Sequence, residues 1–121
     1  MSIHIQTGAF IITLIKINPN KVSTKFKREY ATTVILASNG YPEKYTKGKK
    51  ISKVYDDEDT LIFHAGTKLV SGDIISNGGR VLACTGFGSG LSEALENSYK
   101  KADEILWDDK YFRKDIGKDL L

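Results

Sequence analysis

Residues 91–106, LSEALENSYKKADEIL, decide the fold because they carry a helical period within a sequence otherwise rich in strand formers. The small and apolar side chains recur at three- and four-residue steps: Leu91, Ala94, Leu95, Ser98, Ala102, Ile105 and Leu106. Charged side chains fall between them, and we expect these to face solvent: Glu93, Glu96, Lys100, Lys101 and Glu104. The pattern predicts one amphipathic helix, which Ser89 or Gly90 can cap.

The other apolar segments are short, rich in β-branched and aromatic residues, and bounded by turn formers. They are residues 9–17, 30–38, 51–55, 60–65, 74–76 and 80–85. Segments 51–55 and 60–65 flank the acidic residues 56–59, so we interpret them as a hairpin or as neighbouring strands. Because the helix needs a sheet face to cover, the predicted fold class is α+β: a small antiparallel sheet with one helix, about 91–106, packed on it.

Length and composition indicate a single domain, residues 1–121, with 40% hydrophobic and 27% charged residues. The apolar stretch GAFIITLIKI at 8–17 has about half the length of a membrane span and no basic region before it, so we interpret it as a strand. The only cysteine, Cys84, excludes an internal disulfide and suits a reducing compartment. We therefore expect a cytoplasmic protein without a membrane partner.

The net charge of +3 is unevenly distributed. Residues 1–53 hold ten lysines and arginines against two acids, a net +8, whereas residues 54–121 hold eight against thirteen, a net −5. A basic surface attracts nucleic acid or anionic metabolites, and a solvated lysine-rich surface is the alternative. Aromatic residues do not interleave with the lysines in a stacking pattern, which argues against nucleic acid.

Few residues have the chemistry of a catalytic or metal site. Cys84 alternates with Leu82 in a predicted strand, and only His4 and His64 could serve as its base, so we expect a core cysteine. The acidic residues 56–59 lack partners at ligand spacing, and we expect a solvated turn there.

The segment HAGT, residues 64–67, has features of an oxyanion or carboxylate site. Ala65 and Gly66 have small side chains that let a ligand approach their N–H groups, and Thr67 adds a hydroxyl. His64 either faces a ligand or satisfies a hydrogen bond in the core, and both interpretations stay open.

Arg80 is the strongest single candidate for anion binding. Gly78 and Gly79 form a turn that brings Arg80 to the start of a strand, where its planar fork can bind a phosphate with two parallel bonds. The alternative is a surface arginine paired with an acid. Tyr41 and Pro42 are interpreted as a rigid turn with a secondary role in shaping the pocket.

Four strings together resemble a known family. They are ASNGYPEKYTKG at 37–48, FHAGT at 63–67, SNGGRVLACTGFG at 76–88 and YFRKDIG at 111–117. Their joint occurrence and order, over residues 30–117, resemble the carboxyl-terminal domain of the phosphoribosylamine–glycine ligases. Residues 1–17 match no string of that family and are expected to be an extension.

This resemblance implies a function in purine biosynthesis. In that family ATP activates glycine as an acyl phosphate, and the amine of 5-phosphoribosylamine then attacks it to give glycinamide ribonucleotide, ADP and phosphate. The domain resembles those of other ATP-grasp ligases such as biotin carboxylase, with a rudiment hybrid motif, and it closes one side of the active site. The resemblance implies that a set of residues faces the phosphoribosyl substrate and glycine. These are His64, Ala65, Gly66, Thr67, Arg80 and Lys47. It implies no catalytic residue here, and it assigns Tyr111–Gly117 to sealing the domain, with Arg113 and Asp115 possible partners of each other.

The family's ATP-grasp and amino-terminal domains have no counterpart in the 121 residues. ATP and Mg²⁺ serve the family reaction, but we do not expect them to bind to this domain alone, and we expect no turnover from it. A truncated domain, a subunit whose missing domains form a separate chain, and a free-standing relic all stay open. The alternative function is a stand-alone module that binds a phosphoribosyl compound or nucleotide without turnover.

Overall fold

The computed structural model describes residues 2–7, 10–16 and 30–115 of the chain. The described strands are β1 (Ser2–Thr7), β2 (Phe10–Lys16), β3 (Tyr30–Ser38), β4 (Thr60–His64), β5 (Thr67–Val70), β6 (Asp73–Ser76), β7 (Arg80–Gly88) and β8 (Lys110–Tyr111). The helix described, α1, spans Leu91–Glu104. Within these ranges no helix has the length and apolar character of a membrane span.

The larger sheet has the strand order β1-β2-β3-β7-β4, and β8 pairs with the end of β3. Strands β5 and β6 form a separate two-stranded sheet. All described pairings are antiparallel. The predicted α+β class, a small antiparallel sheet with one helix, is confirmed.

Helix α1 covers one face of β3 and β7, where the core lies. The fully or nearly fully buried apolar residues of this layer are Val34, Leu36, Leu82, Cys84, Leu95, Ala102 and Ile105. Thr32 and Ser98 join strand to helix through a buried hydroxyl contact of 3.0 Å. The contact is close because Gly86 and Gly88 of β7 present bare backbone to the helix. The predicted helical stripe is thus confirmed at its centre.

The end of the helix differs from the prediction. Helix α1 ends at Glu104, where Lys110 Nζ donates to the carbonyl oxygens of Ala102, Asp103 and Ile105 at 2.8, 3.2 and 2.6 Å. A cation at this position satisfies carbonyls that have no partner within the helix and complements the helix dipole. The chain therefore leaves the helix early, and Leu106, predicted to lie on the buried stripe, is 48% exposed.

Lys101 corrects the predicted solvent face of the helix. Its side chain is 1% exposed, and its Nζ lies 2.7 Å from Asp57 Oδ2 and 3.1 Å from Glu104 Oε2. The same Nζ lies 4.4 Å from the ring centroid of Tyr55. The acidic turn at 56–59 was expected to be solvated only, but its Asp57 holds a buried ammonium group instead. A buried charge must be paired, which explains why the turn folds against the helix.

The hairpin predicted between residues 51–55 and 60–65 is wrong. Strand β4 pairs with β7, and residues 51–55 are not a strand. They contact two other parts of the chain: Ile51 N donates to Ile74 O in β6, and Ser52 forms an isolated bridge with Leu106, after the helix. Strand β5 was also not predicted, because its sequence TKLV is short and three of its four side chains are exposed.

Candidate functional site

A β-bulge at the start of β7 organises the candidate site. Leu36 pairs with Leu82, but the next residue, Ala37, pairs with Arg80, so Val81 is an additional residue in β7. Bulges of this kind bend a strand and redirect its side chains. Val81 is fully buried, and its carbonyl oxygen faces the segment that follows β4.

The backbone of HAGT is bound to this bulge. The N–H groups of Ala65 and Gly66 both donate to Val81 O, each at 3.0 Å. The expectation that these two N–H groups are presented to a ligand is therefore wrong, because a protein carbonyl already occupies them. Within this segment the groups left for a ligand are the side chains of His64 and Thr67.

Gly66 allows the HAGT segment to lie against the turn that precedes β7. A Cβ at Gly66 would run into the carbonyl oxygen of Arg80 and would lie 3.3 Å from Gly78 Cα. Gly66 O also accepts a hydrogen bond of 2.8 Å from Asn77 N. The structure thus places the two strings predicted to face substrate, HAGT and GGR, side by side.

His64 is an exposed residue, so the alternative of a core histidine is wrong. Its Nδ1 lies 2.8 Å from Thr67 Oγ1, across the tight turn between β4 and β5. This contact fixes the orientation of the imidazole ring and leaves Nε2 as the ring nitrogen that a ligand can meet.

Arg80 is exposed, and within the described residues it forms no ion pair with an acid. Its Nε donates to the hydroxyl oxygen of Tyr41 at 3.2 Å, and its guanidinium carbon lies 6.0 Å from the Tyr41 ring centroid. An arginine that has no carboxylate partner keeps most of its donors for an external anion. Among the described residues the structure thus gives Arg80 no acidic partner of the kind that a surface salt bridge requires.

The turn after β3 holds Tyr41 beside Arg80. Ser38 anchors the opposing turn: its N–H donates to Gly79 O at 2.8 Å and its hydroxyl donates to Gly78 O at 2.9 Å. Gly40 has a φ of +98°, which disfavours any residue with a side chain. The sequence predicted a rigid turn here, but no sequence signal links Tyr41 to an arginine 39 residues away.

Lys47 is less constrained than the other candidates. The chain next to it is fixed, because Gly48 N donates to Ser76 O at 2.7 Å. Its own side chain is exposed and makes no hydrogen bond or ion pair with any described residue. The structure thus places Lys47 near the turn before β7 without holding its side chain in the site.

Cys84 is a core residue, as predicted. Its side chain is fully buried against the helix, and burial raises the pKa of the thiol to about 12, although Lys101 and Lys110 act in the opposite direction. A thiol with this pKa is protonated at neutral pH, so it is not a nucleophile.

The described residues do not fit a bound Mg²⁺ ion. No group of three or more His, Cys, Asp or Glu side chains in this part of the chain is placed to hold a metal. Two acids that lie close together, Asp57 and Glu104, are both paired with the ammonium group of Lys101.

Exposed apolar side chains lie in the strands next to the candidate site. Phe63, which precedes His64 in β4, is 54% exposed. Leu69 and Val70 in β5 are 72% and 43% exposed. This group, Phe63, Leu69 and Val70, is called the apolar rim.

Comparison with known proteins links this domain to one enzyme. Residues 31–119 match the family model described as phosphoribosylglycinamide synthetase, C domain. The chain is 40% identical, over 97% of its length, to the bifunctional purine biosynthetic protein purD of Dictyostelium discoideum, and covers 15% of that protein. It is 40% identical, over 81% of its length, to the phosphoribosylamine–glycine ligase of Agrobacterium fabrum, and covers 23% of it.

A solved structure gives the same result. The crystal structure of phosphoribosylamine–glycine ligase from Thermotoga maritima matches 71% of this chain with a TM-score of 0.64 and 40% identity, over 21% of the crystallised chain. The chain therefore spans less than a quarter of the length of each of these relatives. The shared region includes β3 to β8 and the candidate site.

Proposed function

The chain belongs to the phosphoribosylglycinamide synthetase C-domain family, and from this premise we propose that it is the carboxyl-terminal, substrate-facing domain of a phosphoribosylamine–glycine ligase. The reaction joins glycine to 5-phosphoribosylamine at the expense of ATP. The observation that carries the proposal is Arg80, which has no carboxylate partner among the described residues and lies directly beside the HAGT segment.

In this proposal the domain binds and orients substrate. Arg80 offers its terminal nitrogens to the phosphate of the phosphoribosyl group. His64, held by Thr67, offers Nε2 to the same substrate or to the carboxylate of glycine. Lys47 adds positive charge near the turn before β7, where it strengthens the attraction for anions without fixing their position.

ATP and Mg²⁺ supply the activation of glycine, and we assign both to the part of the ligase relatives that lies outside the region shared with this chain. The described residues do not fit the metal, and the paired carboxylates beside Lys101 hold an ammonium group instead. The domain alone therefore has no turnover in our proposal. We assign the apolar rim to contact with the other ligase domains, on the same or a separate chain.

The proposed setting is a cytoplasmic purine pathway. We further propose that the fold is the one shared by the carboxyl-terminal domains of ATP-grasp ligases, including the rudiment hybrid motif of biotin carboxylase. The antiparallel sheet with a single helix on one face supports this relationship.

Isothermal titration of the chain with glycinamide ribonucleotide tests the role of Arg80. We expect Arg80→Ala to weaken binding by about 10- to 100-fold, because a charge-assisted bidentate contact contributes about 1.5–3 kcal/mol. Arg113→Ala is the matched control, since Arg113 is already paired with Asp115 at 2.9 Å. Unchanged affinity in Arg80→Ala, or an equal loss in Arg113→Ala, would contradict the assignment.

A further inference from the structure

The contact between Tyr41 and Arg80 determines which edge of the guanidinium group an anion can use. Arginine has five N–H donors, arranged along one edge that includes Nε and along a second edge formed by the two terminal nitrogens. The Nε–H of Arg80 is directed to the Tyr41 hydroxyl at 3.2 Å. An incoming oxyanion therefore meets the terminal edge, where Nη1 and Nη2 can donate two parallel bonds.

The position of the Tyr41 ring depends on the missing side chain of Gly79. A Cβ built on Gly79 would overlap the Tyr41 ring atoms Cδ2, Cε2 and Cγ. Gly79 does not have a positive φ, so its backbone conformation does not itself require glycine. The requirement is steric, and it lies one residue before Arg80 in the chain.

The adjacent glycine has no such requirement. A Cβ on Gly78 would lie 3.4 Å from Gly66 Cα and 3.6 Å from Arg80 O, which is ordinary van der Waals contact. The turn thus contains two consecutive glycines of which only the second is needed to seat Tyr41.

We propose that Tyr41 is a positioning residue that binds Nε of Arg80 and so presents the terminal edge of the guanidinium group to an oxyanion of the substrate. This inference rests on the proposed function, and it adds the geometry by which the anion is bound. The ligand class is an oxyanion with two coplanar acceptor oxygens, which describes both the phosphate of a phosphoribosyl compound and the carboxylate of glycine. The tyrosine hydroxyl accepts the Nε–H bond, and it does not touch the substrate.

The test uses the 121-residue chain, the single variants Tyr41→Phe, Tyr41→Ala, Gly79→Ala, Gly78→Ala and Arg80→Ala, and the double variant Tyr41→Ala with Gly79→Ala. Ribose 5-phosphate and glycine are titrated separately, so that the phosphate and carboxylate sources are distinguished. We expect Tyr41→Phe and Gly79→Ala to weaken binding of the oxyanion about 5- to 10-fold, which corresponds to the loss of one hydrogen bond. Gly78→Ala is expected to remain within about twofold of the unmodified chain.

A second readout follows Arg80 directly. The NMR signal of the Arg80 Nε–H group is expected to exchange with water several-fold faster in Tyr41→Phe and in Gly79→Ala, but not in Gly78→Ala. In a Tyr41→Ala background, Gly79→Ala is expected to have no further effect on either readout, because the clashing ring is gone. A structural role alone would not produce this pattern, since all variants are compared at equal folded fraction.

The outcomes separate this inference from the function on which it rests. If Arg80→Ala abolishes binding while Tyr41→Phe changes neither affinity nor Nε–H exchange, the positioning role is wrong and the proposed function stands. If the Nε–H exchange responds to Tyr41→Phe but neither ligand binds to the chain, the positioning role is supported, whereas a surviving substrate site on the isolated domain is contradicted. Equal effects of Gly78→Ala and Gly79→Ala would overturn the steric argument.

Discussion

Replacing Gly86 by alanine is expected to lower the free energy of unfolding by about 3 kcal/mol, the upper end of the usual cost of overpacking. A Cβ at this position would lie 2.6 Å from Ala94 O and 2.8 Å from Asn97 C, and would also run into Ser98 N. All three are main-chain atoms of helix α1, so no side-chain rotation can relieve the clash. The helix itself would have to move away from β7.

Chemical denaturation of Gly86→Ala, with Gly78→Ala as control, measures this effect. On backbone entropy alone, alanine in a strand is more favourable than glycine by about 0.5–1 kcal/mol. The sign of the change in the free energy of unfolding therefore shows whether the clash with the helix or the gain in backbone entropy is larger. A more stable Gly86→Ala variant would show that the helix does not lie directly on the strand.

Asp57→Ala is expected to lower the free energy of unfolding by about 2 kcal/mol. Removing one partner of a fully buried ion pair costs about 3–5 kcal/mol, and the smaller figure applies because Glu104 remains and Asp57 is 43% exposed. Lys101→Met is expected to lower the free energy of unfolding by less than Asp57→Ala does, since methionine fills the same volume without a buried charge. Asp115→Ala, which breaks the exposed pair with Arg113, is the control and should leave the unfolding midpoint unchanged.

The dependence on pH gives an independent check of the same ion pair. Burial raises the pKa of Asp57, but hydrogen bonds from Lys101 and Thr60 outweigh it, so the pKa lies below its usual value of 3.8. A carboxylate with a lowered folded-state pKa stabilises the fold above 3.8 and loses that contribution as the pH falls through the folded-state value. The stability difference between the unmodified chain and Asp57→Asn should therefore shrink below pH 3.8. A difference that is constant with pH would contradict the pairing.

Features that depend on local period were predictable from the sequence. The helix, its buried small residues and the core position of Cys84 all follow from spacing within one element. The pair Arg113–Asp115, two residues apart, was also expected and is present at 2.9 Å. Neighbours in sequence share one environment, so their pattern is informative.

Features that depend on distant partners were not predictable. The spacing of Lys101 predicts a position on the solvent side, because its partner Asp57 comes from the distant turn at 56–59, which no local pattern links to the helix. Residues 51–55 are rich in strand formers, but they form no strand, and β4 pairs with β7 instead of with them. The donors of Ala65 and Gly66 were occupied by a carbonyl on a bulge that no local signal marks.

The site was therefore only partly predictable. The sequence indicated which strings matter, and the structure brings HAGT beside Arg80. That these residues face substrate stays a prediction, as does the assignment of residues 1–17 to an extension. The orientation of Arg80 by Tyr41 required the three-dimensional arrangement, because 39 residues separate them.

The central claim, that this domain presents Arg80 to the phosphoribosyl substrate of a ligase, is tested most directly in a complete enzyme. Residues 31–119, the range of the family match, replace the corresponding region of the Agrobacterium fabrum ligase. The measurement is the KM for 5-phosphoribosylamine with and without Arg80→Ala. We expect an active chimera in which Arg80→Ala raises this KM at least about tenfold while the KM for glycine stays within about twofold. A folded chimera without ligase activity, or an unchanged KM for 5-phosphoribosylamine, would contradict the account.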